Sequence, residues 1–135
     1  MTDIWLVRHG EAAASFDQDS DPPLSDLGRE QAAQTAEYLW QCVPDDAKLL
    51  TSPKLRAIQT GEPFAALRES PLDIDCRFIE LPSPGALTER KEWIQRVLKV
   101  RWSELPESVH DWQRDIVATI QALQAPTVIF SHFLV

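Results

Sequence analysis

Three stretches of this 135-residue chain lead from an apolar run into side chains that can hold an anion. Residues 3–7 run into Arg8-His9-Gly10-Glu11. Residues 48–52, Lys-Leu-Leu-Thr-Ser, are followed by Pro53-Lys54-Leu55-Arg56, and residues 127–131, Thr-Val-Ile-Phe-Ser, by His132. Two histidines and up to two arginines without a Ser-His-Asp pattern suit an oxyanion pocket, because each guanidinium can fork two phosphate oxygens. Phosphate is the expected anion. A neutral imidazole flanked by guanidinium charge has its pKa pushed down, so its lone pair stays available as a nucleophile near neutral pH. A metal is not expected: there is no HExxH, no cysteine pair at finger spacing, and no carboxylate beside either histidine except Glu11. Glycines 10, 28, 61 and 85 form neither a Walker loop nor a GxGxxG turn.

For these groups to meet, the runs before them must be parallel strands, since ligands of such sheets sit beyond the strands' carboxyl ends. The patterning supports this. Ser25 can cap a helix carrying Ala32, Ala36, Leu39, Trp40 and Val43, stopped by Pro44. A second helix is expected over 54–68, kinked near Gly61 to Pro63. Leu72, Ile74, Cys76 and Phe78 alternate with charged residues and predict a half-buried strand. After a rigid loop at Pro82-Ser83-Pro84-Gly85, Thr88 can cap a helix with Trp93, Ile94, Val97 and Val100. Ser108 to Asp111 resembles a capping box for a helix bearing Val109, Trp112, Ile116, Ile120 and Leu123, stopped by Pro126. Strands alternating with helices predict one α/β domain over 1–135, a mostly parallel sheet flanked by helices in three layers.

The formal net charge of −8 argues against a nucleic-acid or anionic-membrane surface. Residues 1–7 show neither a basic leader nor a long apolar core, so a cytoplasmic location is expected. Cys42 and Cys76, without CxxC spacing, are expected to be buried reduced thiols, and the tryptophans to serve core packing. His110 is expected to face solvent.

Arg8-His9-Gly10-Glu11, Pro23-Leu24-Ser25-Asp26-Leu27-Gly28, the run from Ser52 to Thr60 (SPKLRAIQT) and Ser131-His132 together resemble the histidine phosphatase superfamily, also called phosphoglycerate mutase-like. The resemblance extends over essentially the whole chain. It implies the phosphoglycerate mutase-like fold and a metal- and cofactor-independent phosphatase acting through a phosphohistidine. His9 corresponds to the nucleophile, and Arg8, Arg56 and His132 to the phosphate pocket. Arg77-Phe78-Ile79-Glu80 resembles the position of a general-acid carboxylate in the larger phosphatases. Where mutases and many broad phosphatases carry a hydroxyl and an amide after RHGE, this chain has Ala12-Ala13-Ala14-Ser15, closer to the small bacterial phosphohistidine phosphatases.

The expected partner is therefore a phosphorylated small molecule or a phosphohistidine protein. Two other readings are a non-catalytic phosphate or phosphoprotein binding module and a mutase; a mutase would call for a longer insertion than residues 81–106. The resemblance also implies a further helix and strand after His132. On that basis the 135 residues are expected to be a truncated domain, prone to aggregation or to forming a homodimer.

Overall fold

The computed structural model describes residues 2–14, 19–82 and 89–132. In chain order the elements are β1 (Ile4–Arg8), α1 (Asp26–Cys42), β2 (Lys48–Thr51), α2 (Leu55–Arg68) and β3 (Asp73–Ile74). A 3-10 turn at Cys76–Phe78, α3 (Arg90–Val97), a second 3-10 turn at Trp102–Glu104, α4 (Glu107–Ala122) and β4 (Thr127–Ser131) follow. The strands form one parallel sheet in the order β1-β4-β2-β3.

Alternation along the strands builds three layers. Trp5 and Val7 of β1, Leu49 of β2, and Val128 and Phe130 of β4 meet Ala36, Leu39 and Val43 from α1 and its end and Phe64 and Ala65 of α2 on one face. Ile4, Leu50 and Ile129 face the other way and pack with Ile116, Ile120 and Trp112 of α4. β4 is central and all five of its residues are buried, which is why it reads as an unbroken apolar run.

Local signals explain most boundaries. Ser25 accepts the Gly28 amide and caps α1, whose buried Ala32, Ala36 and Leu39 recur at helical spacing. At the opposite end, Arg68 from the last turn of α2 donates to the Trp40, Val43 and Pro44 carbonyls, satisfying acceptors that a helix end leaves over. α2 runs as one helix through Gly61 and Pro63. Gly61 serves packing: a Cβ there would lie 2.8 Å from the Phe130 ring, so only glycine lets α2 lie this close to β4.

Several expectations are corrected. The strand expected over 72–78 is confined to Asp73–Ile74, both exposed, with a last bond from Asp75 N to Thr51 O of β2; there the Asp75 carboxylate accepts the Arg77 amide and turns the chain into the 3-10 turn. Cys42 and Cys76 are both exposed. Trp40 and Trp102 are also about half exposed rather than core. α4 begins at Glu107 with Pro106 as its N-cap, so Ser108 lies inside the helix and caps nothing. Thr88 and residues 83–85 lie outside the described residues; α3 starts at Arg90 after Glu89. Among the described residues, no helix is long and apolar enough to cross a membrane.

Candidate active site

Strand order puts the chemistry in one place. Arg8 lies opposite Ser131 in the β1–β4 register, and the ladder continues one step through the His9 amide to the Ser131 carbonyl at 3.0 Å. On the other flank of β4, the Ser52 amide donates to Phe130 O at 2.9 Å. His9, His132 and Ser52 therefore emerge side by side at the carboxyl ends of three parallel strands. The two imidazoles meet edge to face with centroids 5.3 Å apart.

Each histidine is oriented by a different neighbour. His9 Nδ1 lies 2.6 Å from Gly10 O, a contact that only an Nδ1–H can make, so the lone pair resides on Nε2. Arg56 Nε points at that Nε2 from 3.2 Å. Ser52 Oγ lies 2.7 Å from His132 Nε2. Burial, which disfavours the charged ring, is the largest cause lowering both pKa values. For His9 the charges of Arg56 and Arg8 add to this, while the Gly10 contact and Glu80 oppose it. His132 is carried down to about 3, with Arg56, His9, Lys54 and Arg90 all pushing the same way.

Arg56, from the first turn of α2, is buried and joins the parts. Its Nη2 donates to Glu80 Oε2 at 3.1 Å, and Arg90 of α3 approaches the same oxygen at 3.8 Å. Among the described residues, Arg56 Nη1 and His132 Nδ1 are buried without a hydrogen-bond partner in the protein. Such atoms are costly to leave unsatisfied, and one on each of two side chains of this cluster suits an incoming oxyanion. Arg8, exposed at the end of β1, lines the cleft with His9, Arg56 and Glu80. The cleft measures about 740 Å³. All five side chains expected at the site, Arg8, His9, Arg56, Glu80 and His132, thus come together. The N-terminus of α2 is partly engaged from within, since Leu55 N donates to Asp21 Oδ1 at 2.7 Å.

The remaining motif residues hold this arrangement. Gly10 N donates to Thr60 Oγ1, and Leu24 N donates to Gln59 Oε1, so the helix that carries Arg56 also fixes the two loops near His9. The Ser25 hydroxyl donates to Glu11 Oε2, and Glu11 N donates to Gln31 Oε1. Gly10 and Gly28 touch so closely that a Cβ on Gly28 would lie 2.1 Å from Glu11 O. Glu80 is held from both sides by indoles: Trp112 donates to Ile79 O and Trp93 to Pro82 O. Sequence reading gave no role to Thr60, Gln59, Ser52 or Arg90. For the first two a signal existed, since polar residues three and four positions after Arg56 share its helix face. Arg90 has no such signal. Among the described residues, no three His, Cys, Asp or Glu side chains are grouped so as to hold a metal ion.

The fold and this cluster define a class. Residues 4–133 match the family described as histidine phosphatase superfamily, branch 1, and the chain belongs to that family. An uncharacterized protein of Picosynechococcus is 32% identical over 108 residues, which are 78% of this chain and 61% of that protein. The chain thus spans less than two thirds of that curated relative. A phosphoglycerate mutase from Thermus thermophilus superposes with a TM-score of 0.66 at 25% identity, covering 97% of this chain and 78% of the mutase. A mycobacterial glucosyl-3-phosphoglycerate phosphatase, solved with VO3, superposes with a TM-score of 0.67 at 22% identity, covering 94% and 74% respectively, a likeness of fold.

Proposed function

We propose that this chain is a phosphomonoesterase that works through a phosphohistidine on His9. The observation that carries the reading is the His9 Nε2 lone pair, fixed by the Gly10 carbonyl on the opposite ring nitrogen and set 3.2 Å from Arg56 Nε. In the first step Nε2 attacks phosphorus, the N–P bond forms and the P–O bond to the alcohol breaks, with Glu80 giving a proton to the departing oxygen. Arg8, Arg56 and the His132 Nδ1–H tautomer hold the equatorial oxygens as charge grows on them. In the second step water attacks phosphorus, Glu80 takes a proton from it, the N–P bond breaks and inorganic phosphate leaves.

A carboxyl at Glu80 matters for a poor alkoxide leaving group and little for a phosphohistidine, which supports an ester substrate. The test is rapid quench of the chain with a labelled phosphate ester. Phosphate release with an acid-labile, base-stable adduct on His9 is expected, and neither in His9→Ala. Equal turnover by His9→Ala would overturn the mechanism. Phosphate binding without any turnover by the unaltered chain would make it a binding module.

A further inference from the structure

The cleft differs sharply between floor and walls. Its cations, Arg8 and Arg56, gather with His9 at the strand ends that form the floor; Glu80 pairs with Arg56, and the Glu11 carboxylate also lines the cleft. The rest of the lining is mostly apolar: Leu27 from the first turn of α1 and Ile94 and Leu98 of α3 and its end, with Gln31 and Thr35 of α1 as the uncharged polar side chains among them. Leu27 and Leu98 keep 51% and 64% of their surface accessible, though both lie on a cleft 740 Å³ in volume. Among the described residues, no further Lys or Arg lines it. Arg90, 3.8 Å from Glu80 Oε2, is not one of the lining residues.

A second phosphate or a carboxylate on the substrate would therefore meet no further cation: apolar surface, the neutral Gln31 and Thr35 side chains and the Glu11 carboxylate leave its charge uncompensated. An alkyl or aryl body would instead cover Leu27, Ile94 and Leu98. Resting on the phosphatase reading above, we infer that the substrate is the phosphate monoester of an uncharged, apolar alcohol or phenol, long enough to bridge from the floor to Leu98. This surface is continuous with the anion-holding floor, so the occupant is the alcohol part of the same molecule.

The test separates recognition from turnover. Alkylphosphonates lack the ester bond, so their affinity reads the walls alone. Calorimetry along ethyl-, butyl-, hexyl- and octylphosphonate should show Kd falling about two- to fourfold per methylene until the cleft is filled. Leu98→Asn and Leu27→Asn, both at half-exposed positions where the fold loses little, should flatten that slope. A carboxylate at the end of the chain should weaken binding relative to the uncharged phosphonate of equal length. A flat series in the unaltered chain, or tighter binding of the carboxylated ligand, overturns the inference. In parallel, kcat/KM along the n-alkyl phosphates, whose leaving groups have nearly constant acidity, should rise in step. A sloped phosphonate series with no hydrolysis of any ester would uphold the apolar site and overturn the phosphatase reading instead.

Discussion

β1 and β4 are register neighbours, each is followed by a histidine, and the two rings meet edge to face, yet their surroundings set them to different work. β4 lies between β1 and β2 with every residue buried, so His132 is 6% exposed, is tied to Ser52, and has its pKa carried down to about 3. β1 lies at one edge of the described sheet, half buried, and its Leu6 is 56% exposed. His9 is accordingly only partly buried and lines the cleft, with a lowered pKa and a lone pair turned to Arg56. The central strand makes a ring that stays neutral and fixed; the edge strand makes one that a substrate can reach. Position in the sheet, more than residue type, divides nucleophile from oxyanion partner in this proposal.

The strongest way to break that division is to remove each ring in turn. His9→Asn should lower kcat by about 10⁴ or more, as loss of a covalent nucleophile does, and abolish the phosphoadduct. His132→Asn removes one electrostatic partner and should cost about 10²–10³ in kcat while the adduct on His9 still forms. An adduct on His132 in the unaltered chain would reverse the assignment. Glu80→Gln comes next. It should slow alkyl phosphates by about 10²–10⁴, the general-acid range, and spare aryl esters with good leaving groups. Uniform loss on every ester would mean that Glu80 acts only by holding Arg56.

Much of this comparison was legible in the sequence, and the reasons are physical. An unbroken apolar run marks β4 as buried on both faces, and motif residues just past strand ends mark where ligands gather. The Leu72 to Phe78 stretch misled because period-two alternation speaks only of side chains, whereas the Asp75 carboxylate captured the Arg77 amide and guanidinium and took the backbone away from β2. Trp93 and Trp112 read as core, and Trp93 is buried and Trp112 partly so; their indole N–H donors, which hold the segment bearing Glu80, have no periodicity to betray them. The apolar cleft walls are equally silent, since Leu27, Ile94 and Leu98 come from distant helices and converge only in the fold.

Acid titration sharpens the comparison at a smaller scale. The unfolded chain protonates His132 near 6.5 and the folded chain only near 3, so its contribution is fully present above pH 6.5 and is lost as pH falls toward 3. Between pH 7 and 5 this amounts to about 2 kcal/mol. Denaturant melts followed by tryptophan fluorescence should show that loss in the unaltered chain and a loss smaller by about that amount in His132→Asn. For His9 the same sign applies to activity: kcat/KM on an aryl ester, whose leaving group needs no proton from Glu80, should rise with pH through a midpoint below 6.5. A midpoint above 6.5 would contradict the lowered value.

The smallest expected effect is the most specific. Ser52 is fully buried, and its Oγ both meets His132 Nε2 at 2.7 Å and accepts the Lys54 amide at 3.2 Å, at the turn that launches α2 toward Arg56. With the hydroxyl donating to Nε2, the His132 proton is kept on Nδ1, the tautomer that can bond a phosphate oxygen. Ser52→Ala leaves both groups without that oxygen and should cost about 1–3 kcal/mol of stability. If Ser52 also sets the tautomer, kcat should fall about tenfold, as one mispointed donor costs roughly 1.4 kcal/mol, while adduct formation on His9 persists. Lost stability with unchanged kcat would reduce Ser52 to a cap on the turn, and His132 would then be oriented by burial in β4 alone.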